Sequence, residues 1–488
     1  METTKRGAAA AVAVIAIVAA ACCIVGIGGD EGELTPGEAN KSALSDLLGS
    51  MRSSETEYPA RLMVLGNADC NDVIDEEDVK AVRALIADGY VYTESYMADA
   101  NYDGLIDEQD VEIIERMISF DQDVVYYFNV DYNIASFNMS YPLNLANILT
   151  QTLEAICILC PENVVATDER CSMNSPQGTF YTEYEYILDY DSGLGNIGSH
   201  KTPNAETYAQ VARDNDGYLT VWMNSVNAYN TGYLETQLGS YDKIQLVRLP
   251  SWENGAAING IITAGYLFNT GSGGLSWDRA VAYAEWYDSI MDGIEQRVST
   301  LEESEKKKVI VTYVSSSDSL YSLLAGTSGE HRNLVKLGIV DVAGQYFEDH
   351  GITETHYQDL DQEALAAFYQ QYGIDLIIGT VGSPYNATAA QMIASYDLRS
   401  SQIAQLTGTE LVITGWINAT GPGEVIFCLM IAKYLYPELF SDMDLEEVVN
   451  TYLQFMGNYG TEEAGQWTYD TLNLLYCGEG SDKNIMAD

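Results

Sequence analysis

The chain has 488 residues and a formal net charge of −49, from 72 acidic against 23 basic side chains. That balance excludes a general binder of nucleic-acid backbone, which needs Lys and Arg to displace counterions. With 47% hydrophobic residues it also excludes global disorder and leaves room for roughly two to four packed domains.

Residues 1–29 read as a targeting segment. Lys5 and Arg6 precede an uncharged apolar run from Ala8 to Ile27. At 1.5 Å per residue, about 20 residues just span a hydrocarbon core of roughly 30 Å. Ala19, Ala20 and Ala21 before Cys22 resemble a lipoprotein processing box without its usual Leu. Lipidation at Cys22, an uncleaved anchor and simple cleavage all stay open. Each places the remaining chain outside the cytoplasm, and the first two tether it to a membrane. Residues 30–60 are rich in Gly, Ser, Glu and Thr and read as a tether, with a short helix over Ser42–Met51.

An internal repeat follows. Its first copy runs from Asn67 to Asp78 and its second from Asp99 to Asp110, each leading into an apolar-periodic helix, Val79–Ile86 and Val111–Ile118. Side-chain oxygens at positions one, three, five and twelve of such a loop converge on a cation, and position seven offers its backbone carbonyl. In the first copy these are Asn67, Asp69, Asn71, Asp78 and Val73. In the second they are Asp99, Asn101, Asp103, Asp110 and Leu105. An all-oxygen set points to a hard cation, hence one Ca²⁺ per loop. Gly104 at position six permits the sharp turn; Asp72 replaces it in the first copy. Over residues 61–120 the pair resembles a type I dockerin module, a small all-α, EF-hand-like unit. The resemblance implies a cohesin partner recognised by positions ten and eleven. Those positions are Glu76, Glu77, Glu108 and Gln109 here, instead of the common Ser/Thr pair. A calcium-rigidified stalk is the competing reading.

From Asp121 the pattern alternates between strands and helices. Strands are expected at Val124–Tyr132, Asn163–Thr167, Tyr218–Trp222 and Ile244–Leu249, and helices at Thr152–Cys160, Glu206–Arg213, Thr231–Gly239 and Gly255–Phe268. Such alternation implies a mainly parallel sheet covered on both faces, lobe one, over residues 121–274. Leu275–Lys308 reads as one long helix with Ser276 as its N-cap, because Trp277, Val281, Ala284, Tyr287, Ile290, Met291, Ile294, Val298 and Leu301 recur at steps of three and four. Lobe two, residues 309–457, repeats the logic. Its expected strands are Val309–Val314, Ile339–Val342, Ile374–Thr380 and Glu410–Gly415. Its expected helices are Ser319–Leu324, Arg332–Leu337, Asp361–Tyr372, Ala387–Ser395 and Leu445–Met456. Residues 458–488 read as a polar tail with one apolar patch, Leu472–Tyr476. The fold class is thus α/β: two lobes joined by one interlobe helix, plus the small repeat module.

Cysteine and histidine usage is uninformative about catalysis. Cys157 and Cys160 lie one helical turn apart with no second such pair and no nearby His, so they read as buried small hydrophobes and not as a zinc site, with Cys171 a candidate pairing partner. His200, His331, His350 and His356 are scattered. No nucleophile elbow, phosphate loop or His/carboxylate pair emerges, which argues against an enzyme.

Four stretches in fixed order resemble the class III substrate-binding proteins of ABC importers, the family that captures ferric siderophores, haem and corrinoids. They are Leu149–Leu159, the Ile197–Glu206 segment with its Pro-Asn-Ala-Glu, the long helix, and Gly421–Phe440 with its Tyr-Pro-Glu-Leu-Phe end. The resemblance implies a monomer that holds a metal chelate in a largely pre-formed cleft and delivers it to a membrane permease. In open α/β lobes a ligand meets the carboxyl ends of the strands. The ligand candidates there are Asp168, Arg170, Asn196, Ser199, His200, Trp222 and Asn224 in lobe one, with Tyr313, Ser316, Trp416 and Asn418 in lobe two. The resemblance also implies one acidic permease-docking residue per lobe, mapping to Glu206 and Glu363. Two alternatives are a dockerin-bearing cell-surface assembly protein and a metal-cluster or chelatase-like enzyme of related two-lobed fold.

Overall fold

The structure is a computed structural model that describes residues 34–54, 57–171, 194–199, 201–226, 231–314, 321–352, 355–381, 387–415, 420–457 and 469–487. Helix α1 (Pro36–Ser54) opens it, followed by the repeat as α2 (Glu76–Asp88), a short α3 (Tyr92–Ser95) and α4 (Glu108–Met117). Helices α2 and α4 both start at an aspartate, Asp75 and Asp107. Each closes a reciprocal capping box with the aspartate three residues on, Asp78 and Asp110.

The module packs against α1 and against the residues that follow it. Helix α1 is longer than expected and lies on the second loop. Gly37 and Gly104 approach so closely that a Cβ on Gly104 would stand 2.2 Å from the Gly37 carbonyl oxygen. Asn40 Nδ2 donates to Gly104 O at 2.8 Å and Lys41 Nζ to Tyr102 O at 3.0 Å. Leu44 and Leu48 on the same helix are buried in the core shared by the repeat and lobe one. The apolar stripe of α1 is short, and burial of Leu44 and Leu48 against the folded repeat holds it in place, since tertiary packing supplies most helix stability in proteins.

Lobe one begins with an antiparallel hairpin, β1 (Val124–Phe128) and β2 (Ile134–Asn138). The bridge from Val64 to Tyr127 and the bond from Phe128 N to Met63 O at 2.7 Å join the module to this hairpin. Then come β3 (Leu145–Asn147), α5 (Thr150–Leu159), β4 (Val164–Thr167), β5 (Gly195–Asn196), α6 (Ala205–Asp214), β6 (Leu219–Met223), α7 (Tyr233–Leu238), β7 (Ile244–Arg248) and α8 (Ala257–Leu267). Five strands form a parallel sheet in the order β5-β4-β3-β6-β7. Every residue of β6 is buried, as a strand covered on both faces requires.

The long helix, α9, spans Leu275–Val298 and is shorter than the expected 275–308. Its N-cap is Gly274 at φ 87°, not Ser276. Ser276 is buried one position inside, where its hydroxyl donates to Gly265 O at 2.7 Å. Residues 299–308 leave the helix as turns that feed the next strand.

Lobe two comprises β8 (Val309–Tyr313), β9 (Tyr321–Leu324), α10 (Gly329–Val335), α11 (Val342–Asp349), β10 (Tyr357–Leu360), α12 (Gln362–Tyr372), β11 (Leu376–Thr380), α13 (Ala389–Ile403), β12 (Glu410–Thr414), α14 (Glu424–Leu435), α15 (Leu445–Phe455) and β13 (Leu475–Tyr476). Its six-stranded sheet runs β10-β9-β8-β11-β12-β13, parallel at β8-β11-β12 and antiparallel outside them. Three local expectations fail here. Tyr321–Leu324 is a strand, not the end of a helix, because it pairs with β8 and β10. Ile339–Val342 makes only the single bridge from Val340 to Lys308. The carboxyl-terminal segment is no loose tail, since Leu472, Leu474, Leu475 and Tyr476 are buried and β13 extends the sheet.

Candidate functional site

The loops that follow the strands of lobe one meet lobe two at the two flanks of α9. On one flank Gly421 approaches α5, where a Cβ would stand 2.9 Å from Gln151 Cγ. On the other, Gly329 abuts the Trp252 carbonyl, leaving 2.1 Å for any Cβ, and Lys336 Nζ donates to Gly255 O at 3.0 Å. At Gly329 the neighbour is backbone that cannot yield, and Gly421 adopts φ 84°, so both positions require glycine where the lobes meet.

Beneath this junction lies a buried polar network. Tyr287 donates from α9 to Glu424 Oε1 at 2.7 Å, and Asn333 Nδ2 donates to Glu424 Oε2 at 2.9 Å. Tyr283 donates to Pro422 O, and Tyr452 donates to Glu154 Oε1 at 3.2 Å. Burial raises the Glu154 carboxyl well above its ordinary range, and the Tyr452 bond opposes that only in part. Two further carboxylates, Glu253 and Glu330, are buried nearby. Glu253 accepts from the backbone of Ser225, Ser251 and Trp252, and Glu330 from Ser328 Oγ and the Tyr313 hydroxyl. Burial pushes both carboxyls up against those bonds.

An aromatic group sits at the junction. His356 lies 6.2 Å from Trp252, 6.4 Å from Tyr313 and 4.8 Å from Tyr357, centroid to centroid. Tyr357 is exposed, the Trp252 indole N–H is buried without a partner, and burial lowers the pKa of His356. Of these only Tyr313 was selected from the sequence. Trp252, His356 and Glu330 carry no local signal, because lone aromatic and acidic residues in loops acquire meaning only when two lobes bring them together.

The other candidates divide. Asp168 follows β4 and is buried, with its carboxylate accepting from Cys171 N at 3.2 Å. Asn224, beyond β6, is buried and donates to Ser251 Oγ at 2.6 Å. Asn224 Oδ1, Asn147 Oδ1 and Thr167 Oγ1, at the carboxyl ends of β6, β3 and β4, are all buried without a partner. Asn196 Oδ1 accepts from Gly198 N, and Ser199 Oγ from Lys201 N. Trp222 lies in the core. It is fully buried in β6, donates to Leu249 O at 3.2 Å and packs edge-on against Phe268. The side chain of Arg170 and residues His200, Ser316, Trp416 and Asn418 lie outside the described residues. Glu206 and Glu363 are exposed in the first turns of α6 and α12, one on each lobe, and Glu206 pairs with Arg213 at 2.6 Å.

Cys157, Cys160 and Cys171 are buried and form no disulfide with one another, so the candidate pairing with Cys171 is not made. A His/carboxylate pair missed in the sequence is present: His331 Nε2 lies 2.8 Å from Asp341 Oδ1. Asp341 also caps α11, and His331 is buried, so the pair joins two helices of lobe two.

The repeat loops share one geometry. Asp69 and Asn101, at position three, accept from the backbone of Asn71 and Asp103; Asn71 and Asp103, at position five, accept from Val73 and Leu105. Asp99, at position one, accepts from Asp103 and Gly104 N. The position-twelve carboxylates are fully buried, and burial pushes Asp78 up to about 6 and Asp110 up to about 7 against backbone bonds that oppose it. Asn67 Oδ1, at position one of the first loop, is buried with no partner. Among the described residues no group of three or more His, Cys, Asp or Glu side chains is gathered as a metal site. The aspartates of the second loop turn onto backbone N–H groups instead.

Among the described residues no helix is long and apolar enough to cross a membrane. No protein-family model and no curated protein sequence matches the chain. Solved structures do. A TroA-like periplasmic binding protein, FepB, from Veillonella parvula aligns over 72% of this chain and 99% of its own, at 12% identity and a TM-score of 0.54. A periplasmic solute-binding protein from the same organism aligns over 70% and 95%, at 12% identity and a TM-score of 0.47. CeuE from Helicobacter pylori aligns over 69% and 96%, at 14% identity and a TM-score of 0.46. The likeness to the first shows the fold: parallel sheets flanked by helices in the two-lobed arrangement of TroA-like binding proteins.

Proposed function

We propose that this chain is an extracytoplasmic substrate-binding protein of an ABC importer, not an enzyme, and that it works as a monomer. It captures a metal chelate, a ferric siderophore, haem or a corrinoid, between its lobes and hands it to a membrane permease. The observation that carries this reading is the aromatic group at the lobe junction, Trp252, Tyr313, His356 and Tyr357, on a fold of binding-protein type. Aromatic faces with one unpartnered indole N–H suit a flat, polar-edged ligand. The exposed Glu206 and Glu363 support permease docking, since carboxylates on separate lobes orient a body against arginines. Residues 1–29 serve as the membrane tether in this reading. Titration of the purified protein with ferric siderophores, haemin and corrinoids, read by tryptophan quenching, tests it. Saturable binding of one class is expected, and absence of binding to all three sinks the reading.

The repeat is proposed to hold two Ca²⁺ ions, through Asn67, Asp69, Asn71, Asp78 and the Val73 carbonyl, and through Asp99, Asn101, Asp103, Asp110 and the Leu105 carbonyl. The buried, unpartnered Asn67 Oδ1 and the raised carboxyls of Asp78 and Asp110 support it, because each lacks the positive partner a buried oxygen ligand needs. Bound Ca²⁺ supplies charge neutralisation and fixes the loops. A cohesin-type partner is a second reading for the module, favoured by the exposure of Glu76, Glu77, Glu108 and Gln109.

A further inference from the structure

The two repeat loops are anchored to different parts of the molecule. The second is covered by α1, through the Gly37 and Gly104 contact and the Asn40 and Lys41 bonds. The first has other partners. Its position-six residue, Asp72, lies 3.3 Å from Arg61 Nε. The Nη1 of the same arginine donates to both carboxylate oxygens of Asp288, at 2.8 and 2.9 Å. Asp288 is on the long helix α9. A single guanidinium therefore bridges the first loop and the interlobe helix. A second connection runs along the backbone. Asn67 Nδ2 donates to Asn71 O at 2.7 Å and to Leu62 O at 2.8 Å, so the position-one side chain ties the loop to the residue next to Arg61. The other end of that amide, Oδ1, is the buried atom without a partner.

We propose that Arg61 couples cation occupancy of the first loop to the interlobe helix, so that the module braces lobe one and α9. This rests on the reading that the loops bind Ca²⁺. A cation held by Asn67 Oδ1 fixes the amide that grips Leu62 O. Its charge also weakens the attraction between Arg61 and Asp72 and leaves the guanidinium more fully to Asp288. Both effects act on residues 61–62 and end on α9. The surrounding contacts are already in place to carry the brace further. Met63 N donates to Thr263 Oγ1 at 3.0 Å, the Tyr266 hydroxyl donates to Met117 O at 2.9 Å, and Phe120 lies 6.3 Å from Trp277 of α9.

The chain offers a selective reporter, because all six tryptophans lie outside residues 61–120. Full-length protein is titrated with CaCl₂ in a calorimeter, and its thermal unfolding is followed by tryptophan fluorescence with CaCl₂ or with chelator. Two bound Ca²⁺ and a rise of about 3 °C or more in the tryptophan-detected midpoint are expected, since binding to the native state stabilises every part that unfolds with it. In Asp288→Asn, which removes one charge from a partly exposed side chain, calcium stoichiometry is retained and the midpoint shift falls by half or more. Arg61→Met behaves in the same way. Two bound Ca²⁺ with no tryptophan-detected shift, or a full shift in both variants, overturns the coupling while leaving the calcium sites standing. No calcium heat in the wild type removes the sites and the coupling together.

Discussion

Helix α9 holds the two lobes by different physics. Toward lobe one the contact is close packing: Gly265 of α8 faces Ala280 so tightly that a Cβ would stand 2.3 Å from the Ala280 methyl, and Ser276 bonds the Gly265 carbonyl. Toward lobe two the contact is a buried polar network, with Tyr283 on Pro422 O, Tyr287 on Glu424, and Asn333 closing the other oxygen. Close packing resists any added atom but contains little that titrates. A polar network tolerates small changes of shape but loses heavily when one partner goes. At its centre the lobe-one contact is therefore chiefly steric, with the Arg279–Glu162 ion pair beside it, and the lobe-two contact chiefly polar, with Trp286 packed on Phe455 beside it.

The largest effect is expected from Gly265→Val, which forces α8 off α9 and costs about 3 kcal/mol, measured by denaturant unfolding. Equal stability in that variant would break the steric half of the contrast. Tyr287→Phe should cost about 2 kcal/mol by leaving Glu424 Oε1 short of a partner in a buried site. A cost near zero would show that Lys336 Nζ, 3.7 Å from Glu424 Oε1, takes over. Glu154→Gln sharpens the electrostatic half through pH. Burial raises the carboxyl pKa in the folded protein above the unfolded value of 4.5. The protonated form is thus favoured on folding, its contribution is full below that value, and it is lost as pH rises through the folded pKa. Wild-type stability should fall with pH across this window, and the Gln variant should show a flatter curve. Parallel curves would mean that Glu154 stays ionised in the fold. The smallest stability effect is expected from Glu206→Lys with Glu363→Lys, both exposed and away from α9, at within about 0.5 kcal/mol. Under the proposed function that pair abolishes transport with ligand affinity intact, and lost affinity would contradict docking.

The fold was legible where one segment carries its own pattern. The parallel strands β6 and β11 are mostly apolar and buried throughout, and α9 shows its period over 24 residues. The helix after each repeat loop was legible because Asp75 and Asp107 recur at the same place in both copies and cap α2 and α4. The misreadings share a cause. Tyr321–Leu324 takes its form from pairing with β8 and β10, Ser276 loses the cap to Gly274 because it is drawn to Gly265 O, and α1 is a helix because the second loop lies under it. The orientation of Trp222 was equally hidden: it stands near a strand's carboxyl end, and its side chain packs on Phe268 within the core. The junction group went unseen because Trp252 and His356 are 104 residues apart in the chain and only the fold brings them within 6.2 Å.

The sequence alone therefore determined the alternation of strands and helices, the long connecting helix, and the oxygen-bearing loops, all of which depend on periods and spacings within one segment. Tertiary structure alone decided that the repeat is joined to lobe one, that Arg61 reaches α9, and that four aromatic rings gather between the lobes. These depend on which distant side chains share one buried space, and local spacing carries no record of that.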